Sequence, residues 1–187
     1  MNNKWVNCMA VCSLCLVFAG CGQREREISL TELQNSSGDF QFSSVQWGSS
    51  KEDIEETLGV TLDEFLSANS SHQAYMASEA FEWEGAQARL LCDFENETLS
   101  SVSFHIFPEE DEQEAVWEAL TQELTSLYGE AEIFFRESQI EELGFTTQGE
   151  SYLWERTEGI HTALVLTDFK QDGSFKYILL SVYPVTK

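Results

Sequence analysis

A repetition of the same structural signals constrains the fold of this chain more than any other feature. In each half a helical pattern ends at a glycine, Gly59 and then Gly129, and an aromatic-x-Trp strand follows at residues 81–83 and 152–154. Each half continues with a Glu-Gly turn, an apolar strand, a polar turn and a final strand rich in aromatic residues. One short helix cannot cover the sheet of its own half, so we predict that the two halves share one sheet.

These signals predict an α+β protein. We expect an antiparallel sheet of about six strands with helices packed on one face, built from two tandem helix-plus-three-strand repeats. The first repeat covers about residues 42–107 and the second about 108–185, both within a single globular domain over residues 40–187. Alternating apolar residues predict a hairpin in the first repeat, with strands at 86–94 and 102–106.

The helices are predicted from their end signals and their apolar spacing. Ser49 and Glu52 have the spacing of a capping box, and Gly59 ends the helix that they begin. The same box pattern predicts a second short helix over residues 61–66. Residues 109–128 form the clearest helix, because acidic residues crowd its start and apolar residues recur at helical spacing.

The N-terminus has the order of a secretory signal. Lys4 supplies a positive start, and residues 8–18 form an apolar run that is shorter than the roughly 20 residues needed to span a bilayer. The two residues before Cys21 are small. The run over residues 16–21 resembles the lipobox of bacterial lipoproteins, in which the cysteine takes a diacylglycerol thioether and becomes the mature N-terminus.

This resemblance implies a cellular location for the protein and a way in which it is attached to the membrane. Residues 1–20 would be removed as a signal peptide, Cys21 would carry diacylglycerol and palmitate, and residues 21–39 would form a flexible tether. The protein is then expected at the extracytoplasmic face of the bacterial cell membrane or cell envelope, anchored by lipid. An ordinary signal peptide followed by an unrelated cysteine is the alternative.

The balance of charge excludes one class of function. The chain has 10 Lys and Arg against 33 Asp and Glu, a formal net charge of −23 at pH 7. Nucleic-acid binding depends on Lys and Arg that neutralise phosphates, so we expect no nucleic-acid partner. Repulsion between acidic surfaces favours a monomer, and it leaves the lipid as the attachment to an anionic membrane.

Cys92 is the one cysteine expected in the mature domain beside the lipidated residue. Cys8, Cys12 and Cys15 lie in the predicted signal peptide, and Cys21 takes the lipid. We therefore predict no intramolecular disulfide. Because Cys92 lies in an apolar alternation typical of a strand, we expect a buried thiol without a catalytic role.

Residues 47–59 carry a second resemblance. Their pattern, Trp-Gly-Ser-Ser-Lys-Glu-Asp-Ile-x-x-x-Leu-Gly ahead of a hairpin, resembles the helix-opening signature of small lipoproteins of the SmpA/OmlA (BamE) type. The tandem arrangement is similar to the β-lactamase-inhibitor-protein fold. These resemblances imply a non-catalytic binding or scaffold module whose sheet face meets another protein.

Four aromatic residues at equivalent places in the two repeats are the candidate binding site. They are Phe81, Trp83, Tyr152 and Trp154. If the repeats align in one sheet, these rings form a stripe on a single face, and aromatic side chains dominate protein interfaces. The alternative is that the rings belong to the core beneath the helices.

We predict no catalytic residue, cofactor or metal site. His72, His105 and His161 match no zinc spacing, and we expect the latter two to face solvent from strands. The sequence thus predicts a non-catalytic binding or scaffold module for a protein or another component of the cell envelope. Two alternatives stay open: an envelope hydrolase that uses acidic side chains, and a weak sensor of calcium or another ligand.

Overall fold

Strands dominate the protein in a computed structural model that describes residues 25–69, 71–140, 145–157, 160–171 and 174–185. Within these residues ten strands belong to one mixed sheet, accompanied by two α-helices and a short 3-10 helix. The strands are β1 Arg26–Glu27, β2 Leu62–Asn69, β3 His72–Ala77, β4 Phe81–Trp83, β5 Ala86–Glu95, β6 Thr98–Phe107, β7 Glu132–Ile140, β8 Phe145–Arg156, β9 Thr162–Gln171 and β10 Ser174–Pro184. The helices are α1 Lys51–Leu58, α2 Gln113–Tyr128 and the 3-10 helix Leu30–Leu33.

The two halves of the chain meet at the centre of the sheet. The strand order is β1-β4-β5-β6-β10-β9-β8-β7, with β3 also paired to β5 and β2 to β3. β6 and β10 run antiparallel, and their register places Ile106 opposite Ile178 and Phe104 opposite Leu180. In this sheet the pairing of β1 with β4 is parallel and the other described pairings are antiparallel.

The predicted fold, with about six antiparallel strands and helices on one face in two helix-plus-three-strand repeats, is wrong. The described residues hold ten strands in a mixed sheet and only two α-helices. The short helix predicted over residues 61–66 is part of β2 instead. Its backbone pairs with β3, and the N–H of Leu62 donates to the carboxylate of Glu55 at 2.8 Å. Strand pairing therefore outweighs the local cap pattern.

The predicted hairpin of the first half is confirmed as β5 and β6. Asn96 and Glu97 connect the two strands with φ values of 51° and 66°. Two positive φ values in a two-residue connection give the backbone the twist that a tight hairpin requires. The hairpin lies next to the centre of the sheet, where β6 also pairs with β10.

Both α-helices end where their glycines predict, but their starts differ from the prediction. Gly59 takes the left-handed conformation after α1, with a φ of 61°, and Gly129 follows α2 directly. The capping box of α1 is formed by Ser50 and Asp53, one residue later than predicted. The N–H of Asp53 donates to Ser50 Oγ at 3.3 Å, and the N–H of Ser50 donates to the Asp53 carboxylate at 3.2 Å. α2 begins at Gln113 because the acidic residues before it form a turn.

One face of the sheet carries the hydrophobic core. Alternate residues of the central strands point to this face, and α1 and α2 contribute buried side chains to the same cluster. Phe104 of β6 is buried at its centre, where its ring meets those of Phe42 and Phe81 at centroid distances of 4.9 and 5.5 Å. The buried strand residues of this cluster include Ala88, Leu90, Cys92, Val102, Ile106, Leu164, Leu166, Ile178, Leu180 and Val182.

The segment predicted as a tether belongs to the folded domain from residue 25 onward. Leu30 and Leu33 of the 3-10 helix are 2 % and 1 % exposed, and the Tyr128 hydroxyl donates to the Leu30 carbonyl. The N–H of Phe40 donates to Thr162 Oγ1 at 2.8 Å. Apolar side chains in this stretch fill the core, so residues 25–39 form part of its packing. The predicted signal peptide and Cys21 lie outside the described residues.

Candidate binding surfaces

The four aromatic residues predicted to bind a partner are not together on a surface. Phe81, Trp83 and Trp154 are 4 %, 3 % and 2 % exposed and lie in the hydrophobic core. The indole N–H of Trp154 donates to the carbonyl of Gly129 at 2.8 Å, which ties β8 to the end of α2. Tyr152 alone among the four is half-buried. Three of these rings therefore offer no surface to a partner in this fold.

The opposite face of the sheet carries a stack of rings that sequence reasoning missed. The Tyr177 ring lies between His105 and Phe169, at centroid distances of 4.3 and 4.6 Å and interplanar angles of 8° and 6°. Phe107 lies 5.8 Å from Tyr177, and the Arg89 guanidinium lies over the Phe107 ring. The rings cover one another's faces, so the stack stabilises the sheet and leaves no flat aromatic surface for a partner.

His105 is chemically distinctive within this stack. Burial and the nearby positive charge of Arg89 lower the pKa of His105 to about 4. Its imidazole is therefore neutral at pH 7. His105 was expected to face solvent, and it does lie on the face opposite the core, but it is only partly accessible because Tyr177 covers its ring. The strand register that joins these residues could not be deduced from their positions in the sequence.

A groove of about 590 Å³ lies at the connection between β3 and β4. Acidic side chains line the groove, and two of them, Asp63 and Glu79, accept hydrogen bonds from neighbouring residues. The Asp63 carboxylate accepts a hydrogen bond from Ser78 Oγ at 2.6 Å, and the Glu79 carboxylate accepts the N–H of Thr61 at 3.0 and 3.2 Å. These contacts hold β2 to the connection between β3 and β4, which gives Asp63 and Glu79 a structural role.

Trp117, Ile133, Phe135 and Tyr152 form an apolar surface beside α2, which we call the edge patch. Phe135 and Ile133 are 63 % and 56 % exposed, the highest values among the large apolar side chains of those residues. Ile133 pairs with Tyr152 in the register of β7 and β8, so both point to the same face as α2. The Trp117 ring on α2 meets Tyr152 edge to face at 5.5 Å.

A groove and a free strand edge adjoin the edge patch. The groove has a volume of about 440 Å³ and runs between α2 and Tyr152. β7 is the last strand in the sheet order and pairs with β8 alone in the described structure. Glu114 and Glu118 line the groove and no Lys or Arg does, whereas β7 contains one basic residue, Arg136. The exposed acidic residues near the groove and the edge patch are Glu114, Glu118, Glu132 and Glu150.

The chemistry of the remaining candidate groups is limited. Cys92 is fully buried, as predicted, and burial raises the pKa of its thiol to about 12. A thiol with this pKa is a poor nucleophile at pH 7. Over the residues that the structure describes, no three His, Cys, Asp or Glu side chains are grouped so that they could hold a metal ion. None of the described helices is both long and apolar enough to cross a bilayer.

Comparisons with protein-family models, with curated proteins and with solved structures found no match to this chain. The likenesses to lipobox proteins, to SmpA/OmlA-type lipoproteins and to the β-lactamase-inhibitor-protein fold stay predictions from the sequence. A functional proposal therefore depends on two things. One is the N-terminal sequence around Cys21, and the other is the geometry of the edge patch.

Proposed function

We propose that this protein is a lipid-anchored, extracytoplasmic binding module that engages another protein of the cell envelope through its edge patch, without catalysis. The exposure of Ile133 and Phe135 beside Trp117 and Tyr152 carries this proposal. Apolar and aromatic side chains that gather on a surface cost solubility and are typical of protein interfaces. Of the six large apolar side chains that are exposed among the described residues, Phe135 and Ile133 are the most exposed, and both lie on β7.

The proposed surface includes one of the four binding residues that the sequence predicted. Tyr152 was expected to bind a partner together with Phe81, Trp83 and Trp154, and it lies at the centre of the edge patch between Trp117 and Ile133. Burial and the neighbouring Glu150 carboxylate raise the pKa of Tyr152, so its hydroxyl stays protonated and can donate a hydrogen bond. An aromatic ring with a polar tip suits a partly wet interface.

Cys21 is proposed to hold the protein to the membrane through lipid. Cells that express the full chain with a clickable palmitate analogue should label the wild-type protein, and the Cys21→Ala variant should lose the label. The wild type should also enter the detergent phase on partitioning. An unlabelled wild-type protein in the aqueous phase would remove the anchor from the proposal. The Cys92→Ala variant is the matched control, because its buried thiol should not affect labelling.

A photoreactive amino acid at position 135 should cross-link one discrete envelope protein in intact cells. Phe135 is the most exposed residue of the edge patch, whereas Phe65 is comparably exposed on β2, at the other end of the sheet. The same photoreactive residue at position 65 should therefore give no such product. Identical cross-linking patterns at the two positions, or none at position 135, would contradict binding through the edge patch.

A further inference from the structure

We infer that the groove between α2 and Tyr152 binds a chain of amino sugars whose amino groups are free and positively charged. This inference goes beyond the proposed function, because it assigns a glycan to the groove beside the surface that is proposed to bind a protein. It depends on three features of the described residues. These are two aromatic rings in the groove, the carboxylates beside them, and the neutral polar side chains that continue along the helix.

The sequence of α2 creates the groove as one stripe of the helix. The buried stripe contains Leu120, Leu124 and Tyr128, which recur every four residues and pack on the core. A second stripe faces Tyr152 of β8. Its members recur at intervals of three and four residues, which places them on one side of the helix. They are Glu114, Trp117, Glu118, Thr121, Gln122 and Thr125.

Two aromatic rings form a corner in the groove. The centroids of the Trp117 and Tyr152 rings lie 5.5 Å apart, and the ring planes meet at 73°. Both side chains are half-buried and line the groove. The face of an aromatic ring is negatively polarised, so it attracts cations and polarised C–H groups. A sugar ring presents C–H groups on its faces, and an ammonium adds a full positive charge, so an amino sugar suits this corner.

Carboxylates flank the aromatic corner. Glu114 and Glu118 are exposed and lie three residues before and one residue after Trp117. Within the described residues neither carboxylate takes part in an ion pair, and no described Lys or Arg lines the groove. Phosphates and acidic sugars would be repelled here, whereas ammonium groups would meet two unpaired negative charges.

The length and polarity of the groove favour a chain of sugar rings over a small amine. Gln122 and Thr125 continue the stripe beyond the carboxylates, and their amide and hydroxyl groups donate and accept hydrogen bonds as sugar hydroxyls do. The stripe from Glu114 to Thr125 extends about 16 Å along the helix axis. The volume of about 440 Å³ lies within the range of about 300–1,000 Å³ that is typical of small-ligand sites.

The first test measures binding of a fluorescent glucosamine tetramer to the full mature chain in neutral detergent at pH 6.5, where the sugar amines are protonated. We expect saturable binding, which Glu118→Gln weakens about threefold. Glu123→Gln is the matched control and should bind as the wild type does, because Glu123 is exposed on the same helix and does not line the groove. Equal affinities of the wild type and Glu118→Gln, or equal losses in the two variants, would overturn the inference.

The aromatic corner is tested by Trp117→Leu, which should weaken binding of the glucosamine tetramer at least about tenfold. Wild-type affinity in this variant would overturn the corner as the sugar site. Trp117 also packs against the core. Glu118→Gln therefore keeps the inference testable even if Trp117→Leu does not fold, because it changes an exposed side chain.

Two further probes separate an amino sugar from its parts. A tetramer of N-acetylglucosamine keeps the sugar rings and lacks the positive charge, and tetralysine keeps the charge and lacks the rings. Each should bind at least about tenfold more weakly than the glucosamine tetramer. Tetralysine that binds as tightly would show a general cation surface and overturn recognition of a sugar. An N-acetylated tetramer that binds as tightly would overturn recognition of the amine.

Phe135→Ser separates this inference from the proposed function. No described residue of β7 lines the groove, so this variant should bind the glucosamine tetramer as the wild type does. A loss as large as that of Trp117→Leu would overturn the groove as the sugar site. If position 135 cross-links an envelope protein but the tetramer does not bind, this inference fails and the proposed function stands. Tetramer binding without that cross-link would support this inference and contradict the proposed function.

Discussion

Replacing Trp154 by alanine is expected to lower the free energy of unfolding by about 3–5 kcal/mol, the range for truncating a buried aromatic ring. The Trp154 ring is 2 % exposed, and its indole N–H donates to the Gly129 carbonyl at 2.8 Å. The substitution removes apolar contacts and leaves a cavity. It also deprives the carbonyl after α2 of its partner. Urea unfolding followed by circular dichroism at pH 7.5 measures the change.

The controls for this prediction separate a core residue from a surface residue. Trp83→Ala should have a similar effect, because the Trp83 ring is 3 % exposed. Phe65→Ala should change the free energy of unfolding by less than about 0.5 kcal/mol, since Phe65 is 53 % exposed. If Trp154→Ala unfolds at the wild-type urea concentration, the ring is not in the core and the face assignment of β8 is wrong.

His105 is expected to make the protein less stable as the pH falls from about 6.5 towards about 4. Burial and Arg89 lower the pKa of His105 to about 4 in the folded state, whereas an unfolded histidine titrates near pH 6.5. Between these values the unfolded chain binds a proton that the folded chain does not. The stability contribution is therefore present above pH 6.5 and is lost as pH falls, by up to about 3 kcal/mol.

The variant His105→Phe isolates this effect from the many carboxylates of the chain. Phenylalanine can keep the stack on Tyr177 but does not titrate. Urea unfolding at pH 7.5 and at pH 4.5 gives, for each protein, the change in the free energy of unfolding on acidification. The change on acidification should be larger for the wild type by about 2–3 kcal/mol. Equal changes in the two proteins would contradict a buried, neutral His105.

The sequence predicts the centre of this fold better than its edges, for a physical reason. The strands of the central hairpin are buried on the core face, so apolar residues alternate over most of β5 and β6. β2 and β7 lie at the ends of their pairings, and neither strand alternates over its whole length. An edge strand is stabilised largely by backbone pairing with its neighbour, and that pairing leaves little trace in the pattern of side chains.

The candidate site shows the same limit. The aromatic-x-Trp pattern predicts the two strands correctly, but aromatic identity does not say which face the rings occupy. Helix packing decides that, and it places Trp83 and Trp154 in the core while Tyr152 stays half-buried. The edge patch could not be predicted without β7, because Ile133 and Phe135 gain their neighbours through the register of that strand.

Strand β1 determines how far the domain can move from its proposed lipid. The N–H of Arg26 donates to the carbonyl of Ala80 at 3.0 Å, so the folded body begins five residues after Cys21. A fully extended chain over that interval reaches about 17 Å. With lipid attached at Cys21, as proposed, a connection of this length would keep the domain close to the lipid headgroups. Partners confined to the same bilayer would encounter it at a high effective concentration, even if their intrinsic affinity is weak.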